Sequence, residues 1–224
     1  AELSERGLPP ARAYSTIAPS VPHALHMPSH IFSRVGLWKE MVEGNRASYL
    51  AAKGELKGDT LGIGHYDALH AMDYMVFGHL QQAQDTAARQ LVDEAGAIRK
   101  VNVENFAAAY AFAAMPARYA LDRGDWAEAK KLSLSPPDLA WNKFPHAEGI
   151  LVFARGLGAA RSGDLAAARF DVERLQTLKA AMTDLRPGLT PATFSTETPP
   201  ATCWATAKAA TTSSQAPSLP RTFS

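Results

Sequence analysis

Over most of its length the chain repeats apolar positions at the three-to-four-residue spacing of an amphipathic helix. The clearest run is HYDALHAMDYMVFGHLQQ, where Leu69, Met72, Val76 and Leu80 share one helical face. A break at Ala83 follows, and QDTAARQLVDEA resumes the period. The same plan predicts a helix over FAAAYAFAAMPARYALD with a break at Gly124, and another over GILVFARGLGAAR with a break at Gly163. In that last unit, which ends near Met182, Gly156 and Ala160 are expected to face the neighbouring helix. Upstream, PPARAYSTI reads as a short helix opened by its prolines and ended at Ala18-Pro19. Ser20-Val21-Pro22 then opens HALHMPSHIFSRVGLWKEM, which breaks at Gly36.

The breaks share a pattern. Gly36, Ala83, Gly124 and Gly163 are each followed, five positions on, by Met41, Ala88, Ala129 and Ala168. A small residue where the chain turns, then a small or flexible apolar one where two helices approach, marks the corner of a helical hairpin. Met27-Pro28-Ser29 with Gly36 and Trp38 recurs at the same spacing as Met115-Pro116-Ala117 with Gly124 and Trp126, the most specific sign of internal duplication. Proline within a helix removes a donor and is expected to kink it, so the recurrent proline reads as a device that sets curvature. Together these features predict an all-α chain, a right-handed α-solenoid of about four hairpins.

Two connections exceed what such a repeat allows. Gly54–Gly64 is glycine-rich, and Ser135–Pro145 is bounded by proline and truncates the third unit's second helix. Both read as loops over one face of the array, with Trp38, Trp126 and Trp141 packed at corners and loops. At Arg186 the helical period stops. Residues 1–185 are therefore read as the repeat domain, and 186–224, rich in Thr, Ser and Pro, as a low-complexity tail that buries too little apolar surface to order. Two explanations of the tail stand open, a native disordered segment or out-of-frame translation. The chain begins with Ala rather than Met, which reads as a fragment boundary.

Composition narrows the function classes. The balance of 23 Lys+Arg against 22 Asp+Glu gives no electrostatic case for nucleic acid. No apolar run reaches the roughly 18–20 residues that span a bilayer. Cys203, the single cysteine, excludes an internal disulfide framework and a multi-cysteine zinc site. GDTLGIG lacks the Lys-Ser/Thr ending of a phosphate loop, no serine nucleophile elbow is present, and Cys203 has no positioned base. The chain is therefore expected to be non-enzymatic.

Histidine is the remaining chemistry. His23, His26 and His30 fall on one face of a continuous helix. Imidazoles suit zinc, copper or nickel, although the H-E-x-x-H of a metalloprotease is missing. The alternative is that they hydrogen-bond between helices or face solvent. His65, His79 and His146 read as surface or helix-end residues, and Asn45 as an inter-helix hydrogen bonder.

Leu25, Ser29, Phe32 and Gly36, with Pro19 closing the unit before, occupy the large, small, aromatic, corner and terminating positions of a tetratricopeptide repeat, whose period is about 34 residues. The chain resembles that family. The run H-A-L-H-M-P-S-H-I-F-S-R-V-G-L-W is similar to a bacterial subgroup of it with a histidine-rich segment, over about residues 10–182. Members of that subgroup are longer, with further repeats on both sides. The resemblance implies a fold and a generic binding role, and supplies no catalytic residues. It implies that His23, His26, His30 and Arg34 of one unit and His70, Asp73 and Phe77 of the next line a concave groove for a protein or peptide partner. Arg118, Asp122 and Arg161 hold the matching positions further along. His23, His26, His30 and His70 would then converge as the metal alternative. Repeats that grip chaperone tails clamp a carboxylate with Lys, Arg and Asn, where this chain has histidines. A third reading is a structural fragment whose groove is filled by further repeats.

Overall fold

A computed structural model of the chain describes residues 2–58 and 60–185. The tail 186–224, with Cys203, lies outside the described residues, so the expectations placed on it go untested. The architecture is all-α. In chain order the helices are α1 (Glu2–Arg6), α2 (Leu8–Ile17), α3 (Pro22–His26), α4 (Ser29–Phe32), α5 (Trp38–Glu55), α6 (Tyr66–Gln81) and α7 (Asp85–Ala97). They continue with α8 (Phe106–Asp122), α9 (Trp126–Ala129), α10 (Pro145–Arg161) and α11 (Leu165–Leu185). Among the described residues, no helix is long and apolar enough to cross a membrane.

Helices α6, α8 and α10 pack side by side in that order, and α3 lies against α6. Helix α5 packs on α3 and α6, α7 on α6 and α8, α9 on α8 and α10, and α11 on α10. The corners explain why the partners come so close. Gly36, Gly124 and Gly163 have φ of 75°, 66° and 80°, and Ala83 joins them at 54°. The residues five positions on, Met41, Ala88, Ala129 and Ala168, are all 0% exposed. A Cβ on Gly78 would stand 2.7 Å from the Met41 side chain, and one on Gly158 would stand 2.6 Å from that of Ala129. Each of these helices thus presents bare backbone to a corner residue of the hairpin before it.

Several sequence expectations change in detail. Gly156 faces Asp171 of α11, its own hairpin partner, and Gly158 makes the approach to the preceding unit. The kink expected at Pro28 is a full break between α3 and α4. Pro28 has no N–H, and the next amides, of His30 and Ile31, bond three residues back instead of four. Pro116, in the same register, sits inside an uninterrupted α8. The recurrent proline therefore does not carry a recurrent geometry.

The Ser135–Pro145 loop enters the core, where the sequence placed it over a face. Helix α9 stops at Ala129, which leaves the apolar flank of α8 and α10 open. Leu139 and Trp141 fill it, and Trp141 donates from Nε1 to the Pro136 carbonyl at 2.9 Å. The glycine-rich loop ends in a two-residue strand β1 (Ile63–Gly64), paired in parallel with β2 (Lys100–Val101). This pair ties the segment before α6 to the segment before α8, and Asn102 Oδ1 accepts from Tyr66 N at 2.9 Å.

Candidate functional site

The break at Pro28 turns His26 and His30 towards α6. His26 is 1% exposed and lies over α5, where Asn45 is also fully buried. Asn45 Nδ2 donates to the Met41 carbonyl at 2.8 Å, which leaves Oδ1 facing His26 Nδ1 at 2.8 Å. A carbonyl only accepts, so this end of the chain of contacts is fixed, and His26 carries its proton on Nδ1. Burial, reinforced by the like charge of His70, pushes the His26 imidazolium pKa down to about 3 against the opposing pull of Asn45. The ring is neutral, and its Nε2 is an acceptor.

His30 Nε2 lies 3.0 Å from that acceptor, so His30 supplies the proton. Its Nδ1 then accepts from the Tyr74 hydroxyl at 2.9 Å. The resulting relay runs in one direction: Tyr74 to His30, His30 to His26, His26 to Asn45, Asn45 to the backbone of Met41. His70, one turn before Tyr74 on α6, closes the cluster with its ring centroid 4.3 Å from that of His26. Ligand atoms of His26, His30 and His70 all fall within 4.8 Å of one another.

Next to this cluster lies a groove of about 660 Å³. Its first wall is His30, Ser33 and Arg34, and its floor is His70, Asp73, Tyr74 and Phe77 of α6. Phe106, Tyr110, Arg118 and Asp122 of α8 and Phe153 of α10 complete it. Arg118 pairs with Asp73 and lies over the Phe77 ring, 5.2 Å from its centroid. Burial lowers the Arg118 pKa, but Asp73, Tyr110 and Asp122 together outweigh it and the net shift is upward. Asp122 is raised by burial, partly offset by Arg118.

Of the residues expected on this face, His30, Arg34, His70, Asp73 and Phe77 line the groove. His26 lies beneath it, and His23 is exposed and outside both the groove lining and the three-histidine set. His23 and His26 share α3, with ring centroids 6.0 Å apart, and the break between α3 and α4 parts His23 from His30. Arg118 and Asp122 line the groove as their register implied, whereas Arg161 stands over Trp126 at a corner, 5.5 Å from the ring. His65 caps α6, accepting from Asp67 N, and is buried despite its helix-end position.

Sequence reasoning missed Tyr74, Tyr110, Phe106 and Phe153. Tyr74 had a signal, being one turn after His70 on the same helical face. Comparison with family models, with curated proteins and with solved structures finds no match.

Proposed function

We propose that residues 1–185 are a right-handed solenoid of about four tetratricopeptide-like hairpins, acting as a non-enzymatic scaffold for a protein or peptide partner. The left-handed corners, and the order in which α3, α6, α8 and α10 follow one another, support the repeat reading. The observation that carries the binding role is the groove lining. Phe77, Phe106, Tyr110 and Phe153 bring aromatic rings to the lining, and Arg34 and Asp122 bring one charge of each sign. That mixture suits an extended segment that carries both apolar and charged side chains.

The test is selection from a random-peptide display library on the full chain, with each enriched peptide titrated against the unchanged chain and a Tyr110→Arg variant. Tyr110 is only half-buried, so the variant should keep its fold and fill the groove. Peptides that lose about tenfold or more in affinity on the variant support the reading. A selection that yields no binders, or binders indifferent to the substitution, overturns it.

A further inference from the structure

We propose that His26, His30 and His70 form a three-imidazole site for a divalent ion of the zinc class, oriented by Asn45 and Tyr74. The proposal concerns the cluster beside the groove and does not depend on what the groove holds.

The geometry is close to what a tetrahedral ion needs. Zinc–nitrogen bonds of about 2.0–2.1 Å at tetrahedral angles place neighbouring donor atoms about 3.3–3.4 Å apart. The Nε2 atoms of His26 and His30 already face each other at 3.0 Å, so a small outward rotation makes room. His70 brings a third donor within 4.8 Å of both.

On two of the three rings the distal nitrogen is also held as metal-bound histidines require. A ligating imidazole normally has its other nitrogen held by a hydrogen-bond partner, which fixes tautomer and ring angle. His26 Nδ1 is held by the buried Asn45 at 2.8 Å and His30 Nδ1 by Tyr74 at 2.9 Å. On loading, His26 already offers a bare Nε2. His30 gives up its Nε2 proton and takes one at Nδ1, and the Tyr74 hydroxyl changes from donor to acceptor. The proton count is unchanged, so both rings reach the ligating tautomer without titrating.

His70 packs its ring against the other members of the cluster, with its centroid 4.3 Å from that of His26, 6.5 Å from that of His30 and 5.4 Å from that of Tyr74. A third imidazole at this place is what a metal site uses. Because His30 and His70 also line the groove, the fourth coordination position faces the groove. It is open to water or to a carboxylate there.

The test uses the full chain stripped with chelator and titrated with Co²⁺, read by visible absorption and by metal content. The expected result is about one Co²⁺ per chain with tetrahedral d–d bands, displaced by Zn²⁺. His30→Ala and His70→Ala should each abolish the bands, His23→Ala and His79→Ala should keep them, and Tyr74→Phe should weaken binding about tenfold. Should the first two variants lose helicity by circular dichroism, imidazole ¹⁵N shifts of the unchanged chain on adding Zn²⁺ decide instead. Shifts confined to His26, His30 and His70 support the site. No stoichiometric binding by the folded chain, bands that survive the His30 and His70 substitutions, or shifts at His23, His65, His79 or His146 overturn it.

Discussion

The Nε2 atoms of His26 and His30 face each other across 3.0 Å at the break between α3 and α4. Only one of the two can carry a proton, and Asn45 decides which. Adding a proton to His26 would set two N–H groups against each other beside a ring that is 1% exposed. The packing of α3 and α4 on α5 and α6 is therefore tied to the charge state of one ring.

Stability should fall in mild acid for this reason. The folded His26 pKa, about 3, lies below the ordinary value of 6.5, so the unfolded chain takes up a proton first as pH falls. The contribution of the neutral ring is complete above pH 6.5 and is lost as pH drops from 6.5 towards 3. Urea unfolding between pH 7 and 4.5 should lose up to about 1.4 kcal/mol per pH unit from this group. A His26→Gln variant should be less stable at pH 7 but show a shallower slope. Equal slopes in the two proteins would mean that another group titrates.

Ala83 occupies a conformation that its three counterparts reserve for glycine. An L-residue there costs about 1–2 kcal/mol, and glycine's extra freedom in the unfolded chain returns part of that. Ala83→Gly should therefore raise stability by about 0.5–1 kcal/mol in urea melts. Gly124→Ala should lower it by about 1 kcal/mol, since its Cβ would meet only the Trp126 ring at 3.7 Å and the cost lies in the backbone.

Gly158 has no room for a methyl group. A Cβ would lie 2.5 Å from the amide nitrogen of Lys130 and 2.6 Å from Ala129 Cβ. Gly158→Ala should destabilise the chain by about 1–3 kcal/mol by prising α10 from α9. In the same helix, Gly149→Ala meets nothing within 4 Å and should be neutral or stabilising by up to about 1 kcal/mol through helix propensity. Thermal melts of the two variants distinguish local crowding from a general intolerance of α10.

The corners were legible in sequence because a turn constrains its residues locally. Gly36, Gly124 and Gly163 announce a left-handed backbone, and Ala83 follows by register. His26 and His30 were legible as neighbours because helical spacing places side chains one turn apart, and His70 joined them only through the repeat register that the resemblance implies. The parting of His23 from His30 was hidden because the consequence of Pro28 depends on its surroundings. Pro116 leaves α8 whole between α6 and α10, whereas the same residue splits α3 from α4. The fate of Trp141 was hidden for a similar reason. Its burial follows from the missing length of α9, which is a matter of volume and not of local pattern. Proton positions in the histidine cluster needed the one bond that no spacing reveals, from Asn45 to the Met41 carbonyl.

The pairing of β1 with β2 acts as a hinge pin. Arg99 and Lys100 amides both reach the Gly62 carbonyl, at 2.8 Å and 3.1 Å, and Asn102 N reaches Gly64 O at 2.9 Å, which clamps the leading ends of α6 and α8 together. The Arg118–Asp73 pair joins the same two helices further along, so α6 and α8 are tied at two levels, one on each side of Tyr110. The floor and far wall of the groove are thus braced against each other before anything enters it.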